Sequence, residues 1–451
     1  MNDTIAAIAT SVGVSAINII KVSGSKAIEI TNSMFKGKDL TKVNPFTINY
    51  GFIMDENEKI DEVLVSVFKA PKSYTGEDVI EINTHGGVAC TNKILELLLT
   101  HGCRLAEPGE FLKRAFLNGK RDLLEAESIS DLIEAKTTGA RKMAMQGATG
   151  EISKMIKELR EKLVTIIANI EVNIDYPEYD DALVYTNEIL DKNIIEIKES
   201  LTKILNESEK GKLIKDGINV GIIGKPNVGK SSLLNKLLNE EKAIVTDIEG
   251  TTRDIVEGKI VINGITLNLI DTAGIRQTDN IVEQIGVNKS KKILEEADLI
   301  IAMFDASRPL SLEDKEILES IKNKKVIVLL NKSDLKEEID TNIFKDYEII
   351  KVSMKNDEDI NKLTNKIKEM FNLSEIEESD YTYLSNSRQI SIVKNCVNLS
   401  EEIYEANKNK VDVDLIQIDI QRLWEMLGEL IGSTYKEEFI DEMFKRFCLG
   451  K

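Results

Sequence analysis

Gly224 to Ser231 reads GKPNVGKS, a complete G-x-x-x-x-G-K-[ST] set between an apolar run (INVGII, 218–223) and a helix-forming one (SLLNKLL). That spacing suits a phosphate chain. Glycines let the backbone wrap closely, and successive N–H groups point inward at a helix N-terminus, where an anion is favoured. Asn227, Val228, Gly229, Lys230 and Ser231 of this run, with Ser232 directly after it, are the candidate nucleotide-binding residues. Lys230 is expected to reach the β and γ phosphates and the Ser231 hydroxyl to ligate Mg²⁺. Downstream, Asp271, Thr272, Ala273 and Gly274 (DTAG) end another apolar run, where Asp271 would hold Mg²⁺ through water. Thr252, in GTTRD (250–254), lies between the two and could lend a hydroxyl to the same ion. Asn331, Lys332 and Asp334 belong to NKSD, again at a strand end. A carboxylate at 334 accepts two hydrogen bonds from the guanine N1–H and N2–H₂ edge, a pair that adenine cannot offer. Ser353, after the last predicted strand, is a fifth element. In this order the motifs imply a GTPase domain.

One position departs from the Ras-type pattern: the residue after DTAG, where a glutamine would orient the attacking water, is Ile275. An apolar side chain cannot hold water, so that group must come from elsewhere. Glu283, nine residues after the DTAG glycine, reads from sequence either as that group or as a solvated helix residue.

The elements that must carry these motifs form three kinds of segment. Residues 1 to about 118 mix β-like runs (15–22, 63–68, 79–83) with prolines and one helical stretch at 91–100, predicting a compact α+β domain. From about Asp122 the apolar period becomes 3.6: Ile152, Met155, Ile156, Leu159, Leu163, Ile166, Ile167 and Ile170 share one helix face. Pro177, within DYPEYDD (175–181), is expected to end that helix, and a second follows around Ile189 to Ile204. Residues 217 to about 372 alternate strand and helix, predicting a parallel sheet with strands at 218–223, 265–270, 299–304, 326–330 and 348–352. After Glu378 the helical pattern returns. Two arrangements fit: an α/β domain inserted into one helical domain built from both flanks, or two separate helical segments. The expected boundaries are 1–118, 119–215, 216–376 and 377–451.

The chain has 451 residues, 42% hydrophobic and 30% charged, which excludes a disordered or collagen-like protein. Its 59 Lys+Arg against 77 Asp+Glu give a net charge of −18, so a polyanionic substrate must be met by a local patch or by a partner. Four scattered cysteines (90, 103, 396 and 448) and two histidines argue against a disulfide framework or a histidine-rich metal site. The N-terminus lacks a basic n-region and the apolar runs are too short for a membrane span, which predicts a soluble, reduced, cytoplasmic protein.

The whole chain resembles the MnmE (TrmE) family of tRNA modification GTPases. The resemblance rests on SYTGEDVIEINTHGG (73–87), PGEFLKRAFLNGKRDLLEAE (108–127), DYP (175–177), the four nucleotide motifs and the terminal CLGK (448–451). It implies an N-terminal folate-binding domain, a helical domain and an inserted Ras-like P-loop GTPase domain. It implies a homodimer that binds a 5-formyl-tetrahydrofolate-type donor at the interface of its N-terminal domains. It also implies a heterotetramer or larger complex with the flavoprotein MnmG, which carries the FAD. Together these would attach an aminomethyl or carboxymethylaminomethyl group to C5 of the tRNA wobble uridine.

The resemblance further assigns residues. Thr246, Asp247, Ile248, Glu249, Gly250, Thr251 and Thr252 join the nucleotide-binding set, and Asn227, Thr246, Ile248 and Thr251 would ligate K⁺. Glu283 becomes the water-orienting glutamate. Lys21, Glu81, Lys120 and Lys451 would contact folate, with lysine at 21 where the family usually has arginine, and Cys448 would act near the formyl group. A switch GTPase that signals by conformation would share the nucleotide motifs. It would have no use for the N-terminal blocks or the CLGK tail.

Overall fold

The computed structural model describes every residue except 1–2, 12, 176–186, 240–257, 263–264, 271–293, 357, 372–383, 385, 435–442, 445–449 and 451. Its described residues form two compact units. One comprises Met1–Ile133, Gly147–Lys198 and Asn395–Lys451; the other comprises Glu134–Gln146 and Glu199–Lys394.

The first unit opens with seven strands: β1 (Ile5–Ile8), β2 (Ile17–Ser23), β3 (Phe35–Lys36), β4 (Thr47–Asp55), β5 (Glu58–Phe68), β6 (Val79–His85) and β7 (Arg104–Leu105). They lie in the order β3-β4-β5-β6-β2-β1-β7, antiparallel except for β1 with β7. Helices α1 (Ala27–Met34) and α2 (Val88–Thr100) belong to the same segment. Val63, Val65, Val67, Ile80, Ile82 and Ile20 point to one face and bury against Ile94 and Leu98 of α2. This is the α+β segment expected, with β1, β3, β4, β7 and α1 as additions. The inward residues of β4 are Asn49, Gly51 and Ile53 while Ile48 and Tyr50 face out, so the usual apolar-inward alternation is reversed over its first half. Gly51 is required there, because a Cβ would sit 2.5 Å from the Phe35 ring.

Helices follow: α3 (Glu110–Leu117), α4 (Leu123–Glu134), α5 (Thr138–Ala148), α6 (Glu151–Asp175) and α7 (Asn187–Asp216). The expected apolar stripe on α6 is buried or half-buried throughout. Pro177 lies outside the described residues.

The second unit holds six strands: β8 (Ile218–Ile223), β9 (Gly258–Ile262), β10 (Ile265–Ile270), β11 (Leu299–Asp305), β12 (Val326–Asn331) and β13 (Glu348–Lys351). Their order is β13-β12-β11-β8-β10-β9. The helices α8 (Lys230–Asn239), α9 (Leu312–Ser320) and α10 (Glu358–Met370) alternate with them. The expected parallel sheet needs one correction. β9 pairs antiparallel with β10, because the two are joined by a two-residue connection that can only reverse the chain. All seven residues of β11 are buried, as a central strand covered on both faces requires.

The chain ends with α11 (Ser387–Lys408) and α12 (Val413–Ile431). α12 packs on α6: Arg160 stacks 4.2 Å from the Trp424 ring and donates to Ser433 Oγ at 3.0 Å. Asn407 of α11 bonds Asp191 of α7 at 2.7 Å. Helices from before and after the second sheet therefore share one body, the arrangement that an inserted domain produces.

A buried ionic network fixes the chain around α3. Arg114, 1% exposed, donates to Asp3 Oδ1 (2.8 Å), Glu110 Oε1 (3.0 Å) and Glu77 Oε2 (3.1 Å). Burial alone would raise the pKa of Asp3 and Glu110, but hydrogen bonds and charge from Arg104 and Arg114 outweigh it and hold both below the carboxylate range. Removing one member of such a group strands the others, at a cost of about 3–5 kcal/mol. Arg114→Met should therefore lower the urea midpoint of this unit strongly. A lowered folded-state pKa contributes stability that is complete above the unfolded value of about 4 and disappears as pH falls through the folded one. Arg114→Met should thus lose stability mainly above pH 4; an equal loss at pH 2.5 would contradict the network's role.

Candidate functional site

The phosphate-binding loop runs from the end of β8 into α8. Its conformation needs the residues it has. Gly224 takes φ 154° and Gly229 φ 109°. A Cβ on Gly224 would stand 2.5 Å from the Met303 carbonyl oxygen, and one on Gly229 would stand 2.2 Å from Asn331 Nδ2. Asn227 adopts φ 63°, a left-handed conformation that asparagine tolerates better than most residues. Lys230 donates to the carbonyl oxygens of Gly224 (2.6 Å) and Lys225 (2.7 Å), so its ammonium lies across the loop it belongs to. Burial lowers its pKa. A phosphate received there would supply the counter-charge that the site otherwise withholds. Ser231 and Ser232 stand in the first turn of α8, where the backbone N–H groups and the helix dipole favour an anion.

The residues expected to recognise a base come from the ends of β12 and β13. Asn331, 3% exposed, donates from Nδ2 to the Val228 carbonyl oxygen at 2.7 Å and accepts from the Met354 backbone N–H at 3.3 Å. One amide thus joins the phosphate loop to the Ser353 loop. Asp334 accepts from Ser353 Oγ (3.0 Å) and from Lys355 Nζ (2.6 Å), and those two partners hold its carboxyl below the usual range. It is therefore ionised and acceptor-only, as recognition of the guanine edge requires. Ser353 is fixed through its backbone N–H to Asp359 Oδ2 at 2.8 Å. Lys332, at φ 63°, places its ammonium 2.7 Å from Asp305 Oδ2.

Val228, Gly229, Lys230, Asn331, Asp334 and Ser353 are thus brought together. Thr246, Asp247, Ile248, Glu249, Gly250, Thr251, Thr252, Asp271, Thr272, Ala273, Gly274 and Glu283 lie outside the described residues.

Sequence reasoning missed two members of this region. Asp305 ends β11 in register with Asn331, and Lys225 ties the phosphate loop to α9 through Ser311 Oγ (2.8 Å) and Glu313 Oε2 (2.6 Å). The signal for Asp305 was available: a carboxylate that closes a run of apolar residues (LIIAMFD) at the same end as the nucleotide motifs.

The proposed folate residues occupy the first unit. Lys21 and Glu81 are direct cross-strand partners 4.0 Å apart on the outward face of the sheet. The Lys21 ammonium lies 5.1 Å from the Tyr74 ring centroid and 5.9 Å from that of Phe111. Lys120 borders the same 73–78 loop, its Cγ and Cε 3.4 Å from where a Cβ on Gly76 would be. Gly450, at φ 89°, fits against Ala9 and the Ile8 carbonyl at the end of β1, with room for no Cβ (2.8 Å to each). Cys448 and Lys451 lie outside the described residues. Tyr74 was not anticipated; its aromatic ring beside a lone basic residue carries no sequence signal until the loop is folded. Cys103 and Cys396 are buried, which pushes both thiols up to about 12 and leaves them as packing residues.

Residues 4–120 match the family model "GTP-binding protein TrmE N-terminus", and residues 123–448 match "MnmE helical domain". The tRNA modification GTPase MnmE of Lactococcus lactis subsp. lactis (strain IL1403) is 51% identical over 450 residues, covering 100% of this chain and 98% of that protein. The MnmE of Streptococcus pneumoniae (strain Hungary19A-6) is 48% identical over 452 residues, with coverage of 100% and 99%. Among solved structures, the G domain of the T. maritima FeoB iron transporter is 28% identical and covers 34% of this chain and 97% of that one, at a TM-score of 0.26.

Gly229→Ala tests the cradle. The left-handed backbone alone costs about 1–3 kcal/mol, and the added methyl collides with Asn331. The expected outcome is a loss of at least tenfold in affinity for a fluorescent GDP analogue. Unchanged affinity would mean that the cradle is not the phosphate site.

Proposed function

The chain belongs to the MnmE family of tRNA modification GTPases, and we propose that its GTP hydrolysis is potassium-activated and coupled to modification of the wobble uridine. It is a GTP hydrolase acting in tRNA modification. The finer reading is that, with the FAD-bearing partner MnmG, it attaches an aminomethyl or carboxymethylaminomethyl group to C5 of that base, taking the carbon from a 5-formyl-tetrahydrofolate-type donor. One observation carries it. A single chain holds both a glycine cradle joined through Asn331 to the NKSD loop and, near the 73–78 loop, the Lys21–Glu81 pair and Lys120.

In the nucleotide site Lys230 turns from its carbonyls to the β and γ phosphates, while the loop N–H groups bind the same oxygens. Mg²⁺ would be held by Ser231 and Thr252, with Asp271 acting through water. K⁺ would be held by Asn227, Thr246, Ile248 and Thr251. The glycine cradle and the hydroxyl of Ser231 at the head of α8 suit this, since hard cations take oxygen ligands beside a phosphate. When bound, the two ions neutralise charge that develops on the phosphate oxygens. Glu283 orients the attacking water, a task that Ile275 cannot perform.

In the N-terminal domain, Lys21 and Lys120 attract an anionic donor and Tyr74 and Phe111 line the floor beneath Lys21; Lys451 would contact the donor and Cys448 would act near its formyl group. Ile48, Tyr50 and Leu64 lie exposed on the same sheet face as Lys21 and Glu81, which supports a homodimer whose interface adjoins the folate site. Domain boundaries are placed at 1–118, 119–215, 216–376 and 377–451. Among the described residues no helix is long and apolar enough to cross a membrane. With a net charge of −18, the chain leaves most of the basic tRNA surface to MnmG.

Wobble uridines from a deletion strain, analysed by mass, should lack the C5 substituent; unchanged nucleosides would refute the modification role. Turnover should be faster in KCl than in NaCl, and equal rates would remove the potassium step. Glu283→Ala should lower turnover about a hundredfold or more while GTP binding persists.

A further inference from the structure

Asp305 occupies a place that neither the motifs nor the family resemblance explains. It closes β11 directly opposite Asn331, and its side chain is only 7% exposed. Oδ1 accepts from the Ser307 backbone N–H (3.0 Å) and hydroxyl (2.7 Å). Oδ2 accepts from Lys332 Nζ at 2.7 Å, with Arg308 Nε farther off at 3.7 Å. The carboxylate is already fixed by Ser307, so in this pair it is the lysine whose position is being set.

Lys332 itself is bent to meet it. The residue sits at φ 63°, in the sparsely populated left-handed region, and its ammonium is drawn to the end of the neighbouring strand. A lysine held by its charged end has only its four-carbon stem left to offer, an apolar bar along one side of whatever lies beside it. Two residues on, the Asp334 carboxylate is held ready for the polar edge of a base.

We infer that Asp305 is a positioning residue for guanine recognition: it clamps Lys332 so that the stem covers the flat face of the base while Asp334 takes the edge. The clamp is made by protein atoms alone, so it draws on no contact to the nucleotide. Asp305 touches neither the base nor the phosphates. The inference rests on the assignment of Asn331 to Asp334 to the base.

The discriminating variant is Asp305→Asn. The amide keeps the shape and the bonds from Ser307, but presents an N–H₂ group instead of a charge to Lys332. Freeing one such side chain should raise the KM for GTP about three- to tenfold in the full-length protein, with kcat at saturation unchanged. The rise should be equal for GTP and for inosine triphosphate, which lacks the 2-amino group, because a face and not an edge contact has been loosened. Lys332→Met should give a similar rise, and the double variant no more than either single one. An unchanged KM in either single variant, a product of the two effects in the double, or a loss confined to kcat would overturn the inference. If Asp305→Asn fails to fold, Lys332→Met on the half-exposed side of the pair still decides it. A wild-type protein without preference for GTP over ATP would instead defeat the base assignment.

Discussion

The nucleotide site depends on one buried amide. Asn331 reaches across 103 residues of sequence to the Val228 carbonyl, and its oxygen takes the Met354 N–H. An amide is well suited to this, since it donates and accepts at once and carries no charge to be desolvated. Much else follows from that contact. Position 229 must lack a side chain, because Asn331 Nδ2 lies where a Cβ would be. The ends of β8 and β12, which are not neighbours in the sheet, are brought to one level on either side of β11. The phosphate loop and the Ser353 loop are thereby parts of one object.

The first unit is held by charge at its centre, with Arg114 among three carboxylates, and by tight backbone fits at its edge. The 73–78 loop is fixed from both sides. Glu77 is paired with Arg114, and the Thr75 carbonyl accepts from Asn118 Nδ2 at 2.7 Å. That loop carries Tyr74 to Lys21 and borders Lys120. The network therefore serves the cluster in the same way that Asn331 serves the phosphate cradle: a buried polar contact far apart in sequence sets the position of the residues around it. The acidic balance of the whole chain does not prevent this, because the basic groups are placed locally, two lysines at the sheet and Lys230 in the loop.

What could be read from sequence was what is local. The glycines and Lys230 of the phosphate loop, the apolar stripe of α6 and the five parallel strands are patterns of neighbours along the chain, and backbone geometry alone dictates them. The extra antiparallel strand β9 was hidden because its apolar run is only Ile260 to Ile262, and β4 because two of its three inward residues are Asn49 and Gly51. Asp305, Lys225 and Tyr74 were missed for a different reason. Each acquires its role from a partner brought near by folding: Lys332, Ser311 and Lys21 respectively. For Glu283 the residues alone left two readings open, and only resemblance chose between them.

If Asn331 unites the two halves of the nucleotide site, removing its amide must loosen both together. Hydrogen exchange in Asn331→Ala against the wild-type protein, without nucleotide, measures this directly. Protection of amides in the first turn of α8, at Leu233, and at Ser353 and Met354 should fall in concert, while the β11 amides keep theirs. Loss confined to the Ser353 loop, with the phosphate loop unchanged, would contradict the account.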